Sequence, residues 1–99
     1  MSQAKITEAD IDAIMEKTHF HEESFGNKTT IVIATLPNGF VIVESSSCVD
    51  PANFKQAFGV EICKKRIRDK IWQLEGYWLQ TILAAKNELI DNVKLSSVH

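Results

Sequence analysis

Pro37-Asn38-Gly39 separates two runs rich in β-branched and aliphatic residues, Thr29 to Leu36 and Phe40 to Ser46, and that arrangement leaves few folds open. Proline presets φ at the first bend of a turn, and glycine takes positive φ without steric cost. The flanking runs are therefore expected to fold back on each other as an antiparallel hairpin. In the first run Ile31 and Ile33 oppose Val32, Ala34 and Leu36 across the pleat, so neither face is polar. A two-stranded sheet of this kind must be covered by helix on one side and invites a partner on the other. Its unpaired edge is by default a dimerisation surface.

Helices are predicted on both sides of the hairpin. Thr7-Glu8-Ala9-Asp10 has the form of a helix start, with Thr7 as N-cap and acidic residues in the first turn, where the helix dipole favours them. Ile11, Ile14 and Met15 follow on one face, with Ile6 as a staple residue, so a short helix is predicted over about residues 8–17. Thr18 to Lys28 has no clear period and contains Gly26-Asn27; it reads as a loop pinned to the core by Phe20 and Phe25. After Ser45-Ser46-Ser47, Asp50-Pro51 reads as the start of a long helix, because Asp accepts from free backbone N–H groups and proline fits the first helical position. Phe54, Phe58, Ile62, Cys63, Ile67, Ile71, Leu74, Trp78 and Ile82 then make one apolar stripe at spacings of mostly three or four. Gly59 and Gly76 interrupt this helix and mark either a kink or a close helix contact. The pattern fades after Ala85, leaving a helical tail, about 81–99, that frays near Ser96-Ser97.

The predicted architecture is thus α+β: a short N-terminal helix, a two-stranded antiparallel β-hairpin and a long C-terminal helix, in a single small domain spanning residues 1–99. With 44% hydrophobic and 24% charged residues and a net charge of −2, the chain has the composition of a soluble globular protein and no general affinity for nucleic acid or membrane. No apolar run reaches the ~18–20 residues that span a bilayer. Met1 to Ile6 lacks the apolar core of a signal peptide, so the expected compartment is cytoplasmic. Cys48 and Cys63 are then expected to stay reduced as small packing residues.

Leu36-x-Asn38-Gly39-Phe40-x-Ile42-Val43, Ser47-Cys48-Val49-Asp50-Pro51-x-Asn53-Phe54, Gly59, and Ile71-Trp72-x-Leu74-x-Gly76-Tyr77 together resemble a small phage-encoded family, which takes its name from gene forty-nine of one enterobacterial phage and gene sixty-six of another. The resemblance covers roughly residues 7–80, and the chain departs from the family's pattern at Ser45-Ser46-Ser47, where relatives tend to carry a Gly-Glu-Ser-like segment. It implies a phage or prophage origin and action inside a bacterial cell. It implies no reaction, since the family is uncharacterised.

The residues themselves assemble no catalytic set, and the chain is read as not an enzyme, with no cofactor. A Ser or Cys nucleophile needs a positioned base and an orienting acid; Cys48 precedes a helix start that would lower its pKa, but His19 and His21 sit on the expected loop and His99 is the last residue. His19-x-His21 has neither the i,i+4 spacing of a helical zinc pair nor a finger's repeat, so no metal site is expected. Asp10, Glu44 and Asp50 read as caps and strand-end solvation. The concentrated charge is Lys64-Lys65-Arg66-x-Arg68-x-Lys70, flanking the apolar stripe, with Glu61 placed to pair with Lys65. Trp78 falls on the stripe and is expected in the core, whereas Trp72 and Tyr77 lie off its centre, where a place at the core edge is the first reading in so small a domain and contact with a partner the second.

The function expected from these features is that of a non-enzymatic accessory protein of phage or prophage, a homodimer in the bacterial cytoplasm. It would bind and modulate a host macromolecule, most simply a host protein, by occupancy through Lys64, Lys65, Arg68, Trp72 and Tyr77. Two other classes use the same cations: a binder that sequesters a small anionic ligand such as a nucleotide signal, and a DNA-binding regulator. The acidic net charge and the lack of a helix-turn-helix pattern weigh against the last.

Overall fold

The computed structural model describes residues 5–95, with side-chain surroundings through residue 88; Met1 to Ala4, the Ser96-Ser97 fraying point and His99 lie outside the described residues. The chain runs through helix α1 (Glu8–Glu16), strands β1 (His19–Phe25), β2 (Thr29–Thr35) and β3 (Val41–Ser47), a single 3-10 turn (Pro51–Asn53) and helix α2 (Gln56–Leu95). The strands form one antiparallel sheet in the order β1-β2-β3. No described helix is long and apolar enough to cross a membrane.

α1 begins as its sequence indicates. The Asp10 N–H donates to Thr7 Oγ1 (3.2 Å) and the Thr7 N–H donates to Asp10 Oδ2 (2.9 Å), a reciprocal capping box. The Thr7 backbone N–H first, and the Thr7 hydroxyl second, hold the Asp10 carboxyl below its ordinary pKa. The stabilisation from this cap is therefore present above the ordinary carboxylate range and is lost as pH falls through the depressed value.

The hairpin turn also forms where predicted. Leu36 N–H donates to the Phe40 carbonyl and Gly39 N–H to the Leu36 carbonyl, both at 2.8 Å, and Gly39 takes φ +93°. β3 continues through Ser47, so the three serines extend the strand.

The sheet has three strands where the sequence suggested two. The segment expected to be a loop is β1, paired along its length with β2 from His19↔Thr35 to Phe25↔Thr29. Its polar composition hid it: of its residues, only Phe20 reaches the core as a large apolar side chain, and Phe25, expected to pin a loop, is exposed on the other face. The overlooked signal was Gly26-Asn27, whose positive φ values (61° and 53°) are the pattern of a type I′ hairpin turn. A second correction concerns Asp50-Pro51. Asp50 does cap, accepting from the Ala52 N–H (3.0 Å), but only a 3-10 turn follows. Phe54 then turns extended (φ −71°, ψ 128°), and α2 starts afresh at Gln56.

β2 is central and alternates buried with half-buried residues along its length. Thr30, Val32, Ala34 and Leu36 face α2, where they pack with Ile42, Cys63, Ile67, Ile71 and Ile11 in one core. Gly59 is where helix and strand come closest. A Cβ on Gly59 would stand 2.2 Å from Thr30 Oγ1 and 2.7 Å from Thr30 Cβ, whereas one on Gly76 would meet nothing within 4 Å. Thr30 Oγ1 is buried there without a hydrogen-bond partner. Gly59→Ala is therefore expected to lower unfolding stability by about 1–3 kcal/mol through overpacking. Gly76→Ala should raise it by up to about 1 kcal/mol through helix propensity. Urea denaturation of the two variants checks both signs. Thr30→Ala in the Gly59→Ala background should restore only part of the loss, because Thr30 Cβ itself is too close.

Candidate functional site

Two surfaces are candidates: the cationic flank of α2 and the sheet face that α2 does not cover. On α2, Lys64 Nζ lies 3.5 Å from Glu22 Oε2 on β1 and 4.7 Å from the centroid of the Phe20 ring. Arg68 Nη1 lies 2.7 Å from Asp12 Oδ1 on α1. Arg66 Nη1 donates to the Ser45 carbonyl of β3 at 2.8 Å, and Lys70 Nζ pairs with Glu44 of the same strand at 2.5 Å. Four of the five cations of the cluster thus bind α2 to the three elements around it. Lys65 is exposed and in no ion pair among the described residues, and the anticipated Glu61–Lys65 pair is not formed.

Of Trp72, Tyr77 and Trp78, Trp78 is the one that leaves its expected place in the core. Trp72 is half-buried against the core, while Trp78 is 58% exposed and Tyr77 75%. The cause is length: seven-residue strands reach about 23 Å, so the sheet ends near Leu74 and the apolar stripe of α2 runs on past it. Of the five residues predicted to bind, Lys64, Arg68 and Trp72 sit in intramolecular contacts, and Lys65 and Tyr77 face outward.

The opposite face of the sheet carries no covering element among the described residues. Its rows follow from the strand register: His19, Thr35 and Val41; His21, Ile33 and Val43; Glu23, Ile31 and Ser45; Phe25, Thr29 and Ser47. Val41, Val43 and Phe25 are exposed and Ile31 and Ile33 half-buried. Along one margin His21 Nε2 and Glu23 Oε2 lie 2.9 Å apart, an exposed pair. The result is an aliphatic strip bordered on the β1 side by imidazoles and a carboxylate. Reading β1 as a loop concealed this face, because without β1 it has neither that border nor that width.

The remaining reactive groups are dispersed. Cys48 precedes only the short 3-10 turn, and its Sγ donates to the Asp50 carbonyl (3.3 Å). His21, opposite Ile33 and hence Val43, is held two strands away from that end of β3. Cys63 is fully buried, and burial raises its pKa, with Arg66 opposing and Glu44 adding to the shift. Among the described residues no group of three or more His, Cys, Asp or Glu side chains is placed to hold a metal. Near the start of α2, Lys28, Lys55 and Ser47 line a cleft of about 120 Å³, small beside the ~300–1,000 Å³ of typical ligand sites.

A family model described as the phage protein (N4 Gp49/phage Sf6 gene 66) family matches residues 6–83. No curated protein and no solved structure matches the chain.

Two measurements check the roles assigned to these side chains. A double-mutant cycle on Asp12 and Arg68 should give a coupling of about 0.2–1 kcal/mol, the range of partly exposed ion pairs, and zero coupling would leave Arg68 without a structural role. In the native protein a thiol reagent should modify Cys48 and leave Cys63 unreacted until the chain unfolds. Because the Cys63 pKa is raised, its contribution to stability is intact below the ordinary thiol range and declines as pH rises through the raised value.

Proposed function

The chain belongs to the phage protein (N4 Gp49/phage Sf6 gene 66) family, and we propose that it is a non-enzymatic accessory protein that binds a host protein in the bacterial cytoplasm and acts by occupying it. The observation that carries this reading is the uncovered sheet face. Seven-residue strands at a spacing of about 4.8 Å make a face of roughly 300 Å² in plan, and its centre is Ile31, Ile33, Val41 and Val43. Five of the twelve residues on that face are apolar, Phe25, Ile31, Ile33, Val41 and Val43, and an apolar centre inside a polar border is the arrangement protein-docking surfaces share.

The partner would present apolar side chains to the aliphatic strip and a basic group toward Glu23. Lys65 lies on the far side of the sheet from this strip, on α2. The cationic flank is better read as the fastening of the fold, since four of its five charges are engaged within the molecule. That engagement also takes support from a DNA-binding reading, which needs cations free to meet phosphates. The reading as a binder of small anions has three cation-lined recesses to draw on: the cleft of about 120 Å³ beside Lys28 and Lys55, one of about 490 Å³ beside Lys70 and one of about 500 Å³ beside Lys55 and Lys64.

Capture of tagged protein from lysate of its bacterial host, followed by native mass spectrometry, tests the proposal when run with variants of each surface. Wild type should retain one host protein in fixed stoichiometry. Val43→Lys, at an exposed position on an edge strand, should lose that protein while keeping the circular dichroism and melting of the parent. Lys65→Ala should retain it. Equal capture by Val43→Lys removes the sheet face from the proposal, and the absence of any stoichiometric host protein removes the occupancy reading altogether.

A further inference from the structure

The two edges of the sheet are closed to different degrees. Leu36 N–H donates to the Phe40 carbonyl (2.8 Å) at one end of the β2–β3 ladder, and Cys48 N–H donates to the Lys28 carbonyl (2.9 Å) at the other. Residues that exchange backbone bonds alternate with residues that do not along an antiparallel pair. In this register Phe40, Ile42, Glu44 and Ser46 therefore turn their backbone groups to β2, and Val41, Val43, Ser45 and Ser47 turn theirs outward. The Arg66 guanidinium agrees with that alternation: it donates to the Ser45 carbonyl (2.8 Å) and so occupies that part of the edge. Val41 and Val43 make no such outward bond among the described residues. β1 guards its own edge with the imidazoles and carboxylates of His19, His21, Glu22 and Glu23, whereas Val41, Ile42 and Val43 carry no polar side chain.

A groove of about 490 Å³ runs beside the same three residues on the α2 side. Lys70, Gln73, Leu74 and Tyr77, spaced as one helical face, form the wall opposite β3. Gln73 and Lys70 are its polar side chains, and the Lys70 ammonium is already paired with Glu44. The open edge thus has free backbone donors and acceptors along it and an apolar recess beneath it.

We propose that this edge takes up an extended segment of the host protein as a fourth strand, antiparallel to β3, so that Val41 and Val43 each exchange both backbone bonds with one facing residue. Unpaired N–H and C=O groups at a two-residue repeat select an extended backbone, because a helix has already spent its own. The residue of the segment that faces Ile42 sends its side chain to the α2 side, into the groove, and the apolar lining calls for an aliphatic or aromatic one. Its neighbours fall on the open face beside Val41 and Val43 and prolong the aliphatic strip. A second copy of the chain does not satisfy this site. If β3 pairs with its own counterpart and avoids the occupied Ser45 carbonyl, Ile42 faces Ile42, which is buried in its own core and leaves the groove unfilled. Pairing of β3 with the β1 of another copy is a head-to-tail contact that leaves an edge free at each end and does not close. The inference rests on the host-protein reading and specifies how that partner approaches.

Amide hydrogen exchange, followed by NMR on the isotope-labelled full chain alone and in complex with the captured host protein, tests the strand addition. Alone, the Val41 and Val43 amides should exchange freely while Ile42 and Glu44 are protected; in the complex all four should be protected. Val43→Pro deletes an outward N–H and no bond to β2, a replacement that edge strands accept, so it should keep the parent's circular dichroism and lose the host protein. Val43→Thr, which keeps the N–H and the branched shape, should retain it. A complex that forms with Val41 and Val43 still exchanging freely, or capture retained by Val43→Pro, overturns the strand addition and leaves the host-protein reading standing. Protection of both valines in the free protein at twice the chain mass gives the edge to a second copy and also overturns it. Absence of any captured host protein removes both readings together. If Val43→Pro does not fold, exchange in the wild-type complex decides alone.

Discussion

The seam between α2 and the inward face of β2 is the contact on which the rest of the molecule depends. A three-stranded sheet with one helix on it has a single core layer, and here that layer is narrow: Val32, Ala34 and Leu36 against Cys63, Ile67 and Ile71, closed at one end by Ile11 and at the other by the approach of Gly59 to Thr30. Close approach at Gly59 leaves a threonine hydroxyl buried and unpartnered, a cost that buried polar groups ordinarily avoid. The helix lies that close because no larger residue stands at position 59.

The distribution of charge follows from the same seam. A lone helix on a small sheet can roll or slide about its apolar stripe, and the stripe alone does little to prevent it. Lys64 reaches β1, Arg66 and Lys70 reach β3, and Arg68 reaches α1, so α2 is tied on both sides and along more than one turn. Such pairs are individually weak at the surface, and their effect here is on register and orientation more than on total stability. This is why a basic run that looks like a binding motif in the sequence becomes a set of fastenings once the neighbouring carboxylates and carbonyls are in place.

Features governed by neighbouring residues were legible in the sequence. The Thr7 N-cap, the Pro37-Asn38-Gly39 turn and the α2 stripe from Cys63 to Leu74 each depend on spacings of a few residues, and each forms where it was read; Phe54 falls before α2, and Phe58 on its first turn is exposed. The features that escaped depend on partners distant in the chain. β1 is polar on both faces apart from its two phenylalanines, and only the ladder to β2 makes it a strand. Asp50-Pro51 is a sound helix start by local chemistry, yet the chain must first pass from the end of β3 to the far side of the sheet, and Phe54 in extended conformation makes that passage. Trp78 is on the stripe as its spacing indicates; its exposure is set by the end of a sheet whose length no residue near Trp78 encodes. The aliphatic strip follows the same logic. Ile31 and Ile33 announced a two-sided strand, whereas the border of His21 and Glu23 required the missing third strand.

The two uncovered apolar surfaces differ in kind. The sheet strip faces away from α2, beside the core, while Tyr77, Trp78 and Ile82 are exposed on α2 beyond Leu74, where the sheet ends. The strip is modest beside the roughly 800 Å² per partner of a standard interface. Occupancy through it therefore depends on a few side chains, Ile31, Ile33, Val41 and Val43, each being fully buried by the partner, since a handful of well-packed anchors carries most of the energy of an interface.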